Sequence, residues 1–503
     1  MLMKRRIGAG LLAGVLLLTG CSAGSDRGAT RSSDHGAPDR GAPPPPAASP
    51  APGAPETPGA PEAPDRLSTF ALDVDTASYG YARRALAEGR LPDPADVRPE
   101  EFVNSFKPDY PRPKDNGFSV TVDGARSDAA GWSLVRVGLA TRPSDGERPP
   151  AALTFVVDVS GSMAEPGRLD LVKESLGLLA DRLRDDDSVA LVTFSSEAET
   201  VLPMTRVGGN RERFHDVVDA LATSSSTNVE AGVRTGYDVA VEGHRKGATN
   251  RVVLLSDALA NTGDTEAEGI LERIDTERRR YGITLFGVGV GSEYGDAFME
   301  KLADKGDGST TYVSTPGQAR KVFVDQLPAH VELRARDAKA QVAFDAKTVE
   351  SFRLIGYENR EVADEDFRDD RVDGGEVGAG HTVTALYAVK LRPGKSGRVA
   401  TATVRWLDPA TRTPHERSGT ADTSALTAPI WGDGHDSLQL TAIAAYFADR
   451  LRGGSMPGAP ALSSLAARAG ALAERARSAS VRELAEAIRR ADGLGESTDP
   501  YAG

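Results

Sequence analysis

The sequence predicts an α/β protein built around a doubly wound, mostly parallel sheet, with a β-sandwich-like region beside it and helices at the C-terminal end. Three observations predict this architecture. Apolar, β-branched runs alternate with helix-forming segments from residue 151 to residue 328, as is typical of a doubly wound sheet. Residues 329–430 carry strand patterns without intervening helices. Residues 431–503 show an Ala- and Leu-rich helical periodicity.

The individual elements follow from the same patterns. For residues 67–150 the predicted elements are helices at 77–88 and 98–106, strands at 70–75, 118–122 and 132–140, and turns at 123–124 and 130–131. In the central unit they are strands at 153–157, 188–195, 251–255, 283–290 and 310–313, an edge hairpin at 197–207, and helices at 211–222, 229–245, 266–281, 296–304 and 317–326. After it they are strands at 340–344, 351–356, 381–391 and 398–406 and helices at 437–450 and 462–490.

The regions on either side of the central unit suggest one β structure. We expect the strands before residue 151 to complete the later β region, so that the α/β unit is inserted into it. The acidic stretch 361–376 does not match the spacing of a calcium-binding loop, and we expect it to be a solvated loop.

The N-terminal segment has the pattern of an export signal. Basic residues 4–6 precede a short apolar run, and Leu-Thr-Gly follows directly before Cys21, the single cysteine. This apolar run is shorter than the roughly 20 residues that span a membrane, so residues 1–20 are interpreted as a signal peptide. The pattern resembles a bacterial lipobox, which implies cleavage before Cys21 and its lipidation; the alternative is a secreted protein with an incidental cysteine. Residues 21–66 are rich in Pro, Ala and Gly and predict a disordered tether.

Composition limits the possible partners. The chain of 503 residues has a formal net charge of -13 and no basic stripe, which argues against nucleic-acid binding. It also argues against electrostatic docking on an anionic membrane, so membrane contact is expected through the lipid anchor alone. The expected location is the outer face of the cell membrane.

A cluster of oxygen-bearing side chains follows the first strand of the central unit. The apolar run 153–157 ends at Asp158, and Ser160 and Ser162 come next, before an amphipathic helix. In an open α/β sheet, ligands bind at the carboxyl ends of the strands, where this turn would lie. Carboxylate and hydroxyl oxygens are the ligands that Mg²⁺ prefers, so the sequence predicts a magnesium site here; Mn²⁺ or Ca²⁺ is also possible.

Two further residues complete the predicted ligand set. Thr227 lies just before the helix that starts near residue 229, and Asp257 closely follows the strand 251–255. If these strands run parallel, both residues lie at the same sheet edge as Asp158. Few anions would then surround the metal ion, and one coordination position would remain for water or for a Glu or Asp carboxylate of a protein partner.

The sequence gives little indication of catalysis. No convincing general base accompanies these motifs, and none of the seven histidines has the spacing of a metal site or a catalytic triad. Asp73 and Asp75 could mark an aspartyl-phosphate phosphatase, but Ala77 stands where that family has Thr or Val. We therefore expect a binding protein and not an enzyme.

These motifs, taken in their order along the chain, resemble the metal-ion-dependent adhesion site of von Willebrand factor type A domains. Such domains have a Rossmann-like fold. Two departures put the loop geometry in question: Ala258 follows Asp257 where the family usually has Gly, and Ser225 and Ser226 replace glycines. The flanks are similar to those of a bacterial family of lipoproteins with this domain, in the stretches STFALDVDTASY (68–79), EFVNSF (101–106), FRLIGYENR (352–360) and HTVTALY (381–387).

The resemblance implies the following division of the chain: signal peptide 1–20, lipidated cysteine and tether 21–66, N-terminal flank 67–150, type A domain 151–328, β-rich flank 329–430 and helical region 431–503. The expected function is that of a lipid-anchored, extracytoplasmic adhesion-type protein. Two alternatives remain open. Asp158 and Asp257 could cap helices in a metal-free domain, and the chain could serve as a metal-independent scaffold of the cell envelope.

Overall fold

The computed structural model describes most of the chain after residue 65. The described residues are 66–74, 76–144, 148–257, 264–291, 299, 302–303, 306, 309–320, 322–323, 332–372 and 374–497, with the backbone alone at 264–268, 278–279, 309 and 496–497. The predicted signal peptide, Cys21 and the tether lie outside these residues, as does most of the helix predicted at 296–304.

The described strands are β1 (Leu67–Ala71), β2 (Phe118–Arg126), β3 (Trp132–Thr141), β4 (Ala151–Asp158), β5 (Ser188–Phe194), β6 (Ala198–Arg206), β7 (Thr249–Ser256), β8 (Thr284–Val290), β9 (Ser309–Val313), β10 (Leu333–Phe344), β11 (Val349–Leu354), β12 (Val377–Gly378), β13 (Thr382–Leu391), β14 (Arg398–Leu407) and β15 (Pro414–Asp422). The described helices are α1 (Ala77–Ala87), α2 (Pro99–Asn104), α3 (Leu169–Ala180), α4 (Arg211–Asp219), α5 (Val229–Glu242), α6 (Asp264–Tyr281), α7 (Pro316–Arg320), α8 (Asp436–Leu451), α9 (Leu462–Ala476) and α10 (Ala479–Ser497).

The central sheet has the order β6-β5-β4-β7-β8-β9. All neighbouring pairs are parallel except β5 and β6, because β6 returns as an antiparallel edge strand. Every residue of β4 is buried, and its side chains alternate between two cores: Phe155 packs on the α3 side and Val156 on the α5 side. Burial on both faces explains the unbroken apolar run in the sequence and confirms the doubly wound fold.

Two antiparallel sheets form a sandwich beside the central sheet. One has the order β1-β10-β14-β15, with β12 attached to β10, and the other has the order β11-β13-β3-β2. Strand β3 precedes the central sheet in the chain and pairs with β13, which follows it, with Ala140 opposite Thr382. The α/β unit therefore interrupts the sandwich. Strand β15 escaped prediction because it is polar and mostly exposed, without the alternation that marks a half-buried strand.

The turn predicted at residues 123–124 is wrong, because β2 runs straight through it to Arg126. A Cβ atom on Gly124 would lie 2.3 Å from the carbonyl oxygen of Leu134 and 2.4 Å from Cδ2 of Leu426. The glycine is therefore needed for a close approach between chain segments, not for a turn.

The acidic stretch 361–376 is more than a solvated loop. It folds over Lys339, a buried lysine of β10, whose Nζ donates hydrogen bonds to the carbonyl oxygens of Asp369 at 2.6 Å and Val372 at 2.7 Å. Glu376, at its end, is buried in an ion pair with Arg251 of β7. The loop is thus held inside the protein at both of these points, through its backbone at Lys339 and through an ion pair at Arg251.

Helices α1, α2 and α8–α10 share one apolar core and cover the outer face of the β11-β13-β3-β2 sheet. Leu134 and Leu386 of that sheet belong to this core, while their neighbours Val135 and Tyr387 belong to the core of the sandwich. Within the described part of the chain, every helix is too short or too polar to cross a membrane.

Candidate metal centre

Asp158 ends β4 and is completely buried. Its Oδ1 accepts a hydrogen bond from the backbone N–H of Ser160 at 2.8 Å, and its Oδ2 accepts one from the Ser256 hydroxyl at 2.6 Å. Burial raises the pKa of the Asp158 carboxyl, and these hydrogen bonds oppose that rise. The carboxylate therefore fixes the turn after β4 to the end of β7, the neighbouring parallel strand.

A row of three oxygen atoms begins beside this carboxylate. The hydroxyl oxygens of Ser160 and Ser162 are 3.0 Å apart, and the Ser162 hydroxyl donates to Oδ1 of Asp257 at 3.0 Å. Adjacent ligands in a magnesium octahedron with bonds of 2.0–2.1 Å are also about 3 Å apart. The spacing and chemistry of these oxygens therefore fit Mg²⁺.

Thr227 lies on the neighbouring loop, between α4 and α5, and is half-buried. The backbone N–H of Ser224 in this loop donates to the carbonyl oxygen of Val159 at 2.6 Å, which joins the loop to the turn after Asp158. Asn228 caps α5 by accepting from the N–H of Ala231 at 2.9 Å. These two bonds hold the loop at both ends, at the sheet edge where Asp158 lies.

The two departures from the family pattern have different outcomes. Ser226 has a φ of 74°, a left-handed conformation that glycine adopts without strain and serine adopts at a cost of about 1 kcal/mol. The loop thus keeps a backbone shape suited to glycine despite the substitution. Ala258 lies outside the described residues.

Helix capping does not explain the two carboxylates. Asp158 bonds to Ser160 and Ser256, whereas α3 begins only at Leu169. Asp257 bonds to side chains from the turn after β4, and α6 begins at Asp264. Both acids instead hold the loops at one sheet edge together.

Sequence reasoning missed Arg168, a buried residue at the N-terminal boundary of α3. Its Nη1 donates to Oδ2 of Asp257 and, at 3.1 Å, to the carbonyl oxygen of Ser162. Its Nη2 lies 2.7 Å from Oε2 of Glu165, and a Cβ atom on Gly291 would lie 3.0 Å from its Nε. The sequence held one signal for this contact. A cation at a helix N-terminus is unfavourable because of the helix dipole, so a basic residue at that position is expected to pair with a nearby acid.

Within the described residues, no group of three or more His, Cys, Asp and Glu side chains is arranged to hold a metal ion. The candidate centre has two carboxylates and draws its other oxygens from hydroxyl groups. Such a set suits a hard cation that keeps some of its water, and one of its two carboxylates, Asp257, is already paired with Arg168.

The described residues give no support to the phosphatase interpretation. Asp73 packs under the loop at Gly375, where a Cβ atom would lie 2.6 Å from the Asp73 Cβ, and its Oδ1 is 3.9 Å from Nε of Arg360. This carboxylate is held at a packed interface between chain segments. Asp75, its predicted partner, lies outside the described residues.

Three family models match the chain. Residues 152–325 match the model of the von Willebrand factor type A domain, and residues 56–135 match a model described as von Willebrand factor. Residues 331–417 match the model described as "Uncharacterized protein YfbK, C-terminal".

Similar proteins occur in bacteria and in animals. The chain is 36% identical over 344 residues to the uncharacterized protein YfbK of Escherichia coli K12; the match covers 66% of this chain and 59% of that protein. It is 28% identical over 186 residues to inter-alpha-trypsin inhibitor heavy chain H3 of Mus musculus, covering 35% of this chain and 19% of that protein. A solved structure of a von Willebrand factor type A protein from Catenulispora acidiphila shares 15% identity with a TM-score of 0.47, covering 74% of this chain and 88% of that one.

The family match coincides with the parallel sheet that carries the candidate centre, and the YfbK match coincides with the later strands of the sandwich. The chain therefore contains a von Willebrand factor type A domain and carries, after that domain, a region that matches the C-terminal model of the YfbK proteins.

Proposed function

We propose that this chain is a binding protein, not an enzyme, whose divalent-metal site captures a carboxylate of a protein partner. The ligands proposed are Asp158, Ser160, Ser162, Thr227 and Asp257. The observation that carries the proposal is the row of hydroxyl and carboxylate oxygens spaced 3.0 Å apart at the carboxyl edge of the sheet.

Mg²⁺ is the proposed ion, with Mn²⁺ or Ca²⁺ as possible substitutes. When bound, the ion supplies an electrophilic position that a Glu or Asp oxygen of the partner can occupy. The protein's own residues shape the site. Asp158 fixes the turn through its hydrogen bonds with Ser160 and Ser256, and Asp257 accepts a hydrogen bond from the Ser162 hydroxyl. The presence of a type A domain supports the proposal, because such domains generally mediate interactions between proteins.

The proposed location is outside the cytoplasm. A signal peptide over residues 1–20 and lipidation of Cys21 would anchor the chain to the outer face of the cell membrane, with residues 21–66 as a tether. The lipid is the only membrane contact proposed, and the partner is a protein and not a nucleic acid.

A specific observation favours the second candidate function, a metal-independent scaffold of the cell envelope. Asp257 already has a cationic partner in Arg168, and Asp158 is bonded on both oxygens. The loops at this edge can therefore hold their shape through protein contacts alone. In that case the loss of a predicted metal ligand would leave partner binding unchanged.

The deciding experiment is thermal unfolding of the chelator-treated full chain, titrated with Mg²⁺ or Mn²⁺. A ligand at a hundred times its dissociation constant stabilises the native state by about 2.7 kcal/mol. We expect a metal-dependent rise in melting temperature for the wild type and for the control Ser224→Ala. Ser224 lies on the same loop as Thr227 but outside the proposed ligand set. Ser162→Ala should lose most of the rise. Absence of any rise in the wild type at millimolar metal, both with and without sodium acetate, would refute the metal site and favour the scaffold.

A further inference from the structure

Arg168 places a buried positive charge inside the candidate centre. Its guanidinium contacts the Asp257 carboxylate and the carbonyl oxygen of Ser162, and it packs against Gly291 at the end of β8. The side chain is only 7% exposed, so water screens its charge poorly. A divalent ion held by Asp257 and Ser162 would lie next to this cation.

The local charges can be counted from the described residues. Asp158 and Asp257 contribute two buried carboxylates, and Arg168 cancels one of them. Glu165 also contacts Arg168, but its side chain is 65% exposed and is screened by solvent. The buried groups therefore offer a divalent ion a net charge of about -1, and the occupied site would retain about one positive charge.

We infer that Arg168 couples the metal to the partner's carboxylate, so that the ion binds weakly alone and tightly together with an acidic group. This inference rests on the proposed function and adds the order of affinities at that site. The guanidinium repels the dication, and an incoming carboxylate attracts both cations and removes that repulsion. By linkage, the carboxylate strengthens metal binding by the same factor as the metal strengthens carboxylate binding.

A purely positioning role for Arg168 gives the opposite result. If the guanidinium served only to orient Asp257 as a ligand, its removal would weaken metal binding. If it sets the charge, its removal strengthens metal binding in the absence of a partner. The sign of the change in metal affinity therefore separates the two roles.

The test is isothermal titration of the full chain with Mn²⁺, with and without sodium acetate as the carboxylate probe and with sodium chloride at matched ionic strength. For the wild type we expect acetate to lower the dissociation constant of the metal at least fivefold. For Arg168→Gln we expect a dissociation constant at least tenfold lower without acetate, and an acetate effect at most half that of the wild type, because the carboxylate still binds the metal but no longer relieves the repulsion from the guanidinium. Arg168→Lys keeps the charge and should behave as the wild type.

Arg489→Gln is the matched control, because it removes one positive charge from an exposed position on α10, where Arg490 still pairs with Glu486. It should leave both values unchanged. Unchanged or weaker Mn²⁺ binding by Arg168→Gln, with binding intact in the wild type, would overturn the inference alone, and so would an acetate effect in that variant as large as in the wild type. If Arg168→Gln fails to fold, Arg168→Lys decides: loss of the acetate effect with the charge retained would overturn the inference. No Mn²⁺ binding in any variant, with or without acetate, would overturn the proposed function as well.

Discussion

The ion pair between Arg251 and Glu376 joins the inserted domain to the sandwich, and its removal should be costly. Nη2 of Arg251 in β7 donates to Oε2 of Glu376 at 2.9 Å, and Nε of Arg336 in β10 lies 3.6 Å from Oε1. The side chains of Arg251 and Glu376 are 1% and 3% exposed. Glu376→Gln would remove the negative charge of Glu376 from beside the buried Arg251 guanidinium.

The expected loss follows from this burial. Removing one partner of a buried ion pair costs about 3–5 kcal/mol, because the remaining charge stays out of water. Arg336 loses the same carboxylate, but its side chain is 22% exposed and can be hydrated, so Arg251 dominates the loss. We expect Glu376→Gln to lower the free energy of unfolding by about 3–4 kcal/mol.

Urea unfolding of the full chain measures this loss with two probes. The three tryptophans, Trp132, Trp406 and Trp431, all lie in the flanks, so their fluorescence reports on that part, while far-UV circular dichroism reports on the whole chain. Both transitions should move to lower urea in Glu376→Gln. The double variant Arg251→Leu/Glu376→Leu should recover to within about 1 kcal/mol of the wild type, because it replaces both charges of the buried pair by apolar side chains.

The control is Asp422→Asn, which breaks an ion pair of similar length, 2.8 Å, between side chains that are 45% and 53% exposed on β14 and β15. It should cost less than about 1 kcal/mol. The reasoning would be refuted if Glu376→Gln cost no more than this control, since the buried charge would then carry no larger penalty than the exposed one.

Three further predictions address packing, pH and anchoring. Gly124→Ala should destabilise the chain by about 2–3 kcal/mol in urea unfolding, because its Cβ meets backbone at 2.3 Å, whereas Gly80→Ala in α1 meets nothing within 4 Å and should stabilise by about 0.5–1 kcal/mol. Burial tends to raise the pKa of the Asp187 carboxyl, but hydrogen bonds from Arg148 and two backbone amides outweigh it and lower that pKa. The resulting stabilisation is fully present above the pKa of this carboxyl in the unfolded chain, near 3.9, and is lost as the pH falls through its lower pKa in the folded protein. The melting temperature of Asp187→Asn should therefore fall less steeply with decreasing pH than that of the wild type. An equally steep fall in both proteins would contradict this. Cys21→Ser should move the full chain from the membrane fraction to the soluble extracytoplasmic fraction, and retention in the membrane would contradict the lipid anchor.

The sequence predicted the candidate centre where the argument depended on backbone alone. Asp158 and Asp257 follow neighbouring strands, and the carboxyl ends of parallel strands meet at one edge, so their proximity required only that β4 and β7 pair in parallel. The roles of Ser256 and Arg168 could not be predicted in this way, because they depend on where a side chain points and how far it reaches.

Errors in the fold have the same origin. A glycine after an aspartate is typical of a turn, but Gly124 serves a close approach to Leu134, a residue on another strand. An acidic run is typical of a solvated loop, but Lys339 binds a backbone carbonyl oxygen of this stretch and Arg251 pairs with its last acid, and both are distant in sequence. Local sequence patterns therefore located the strands and helices, whereas the errors arose where contacts between distant segments determine the structure.

The flanks also contribute to the edge of the sheet that carries the candidate centre. Nη1 of Arg84 in α1 donates to the carbonyl oxygen of Gly291 at 2.8 Å, and Gly291, with a φ of 99°, packs against the Arg168 side chain. Arg168 in turn holds Asp257. An N-terminal helix therefore supports the residue that sets the charge of the centre. Because this support comes from outside residues 151–328, metal affinity has to be measured on the full chain, where Arg168 keeps the neighbours that fix its position.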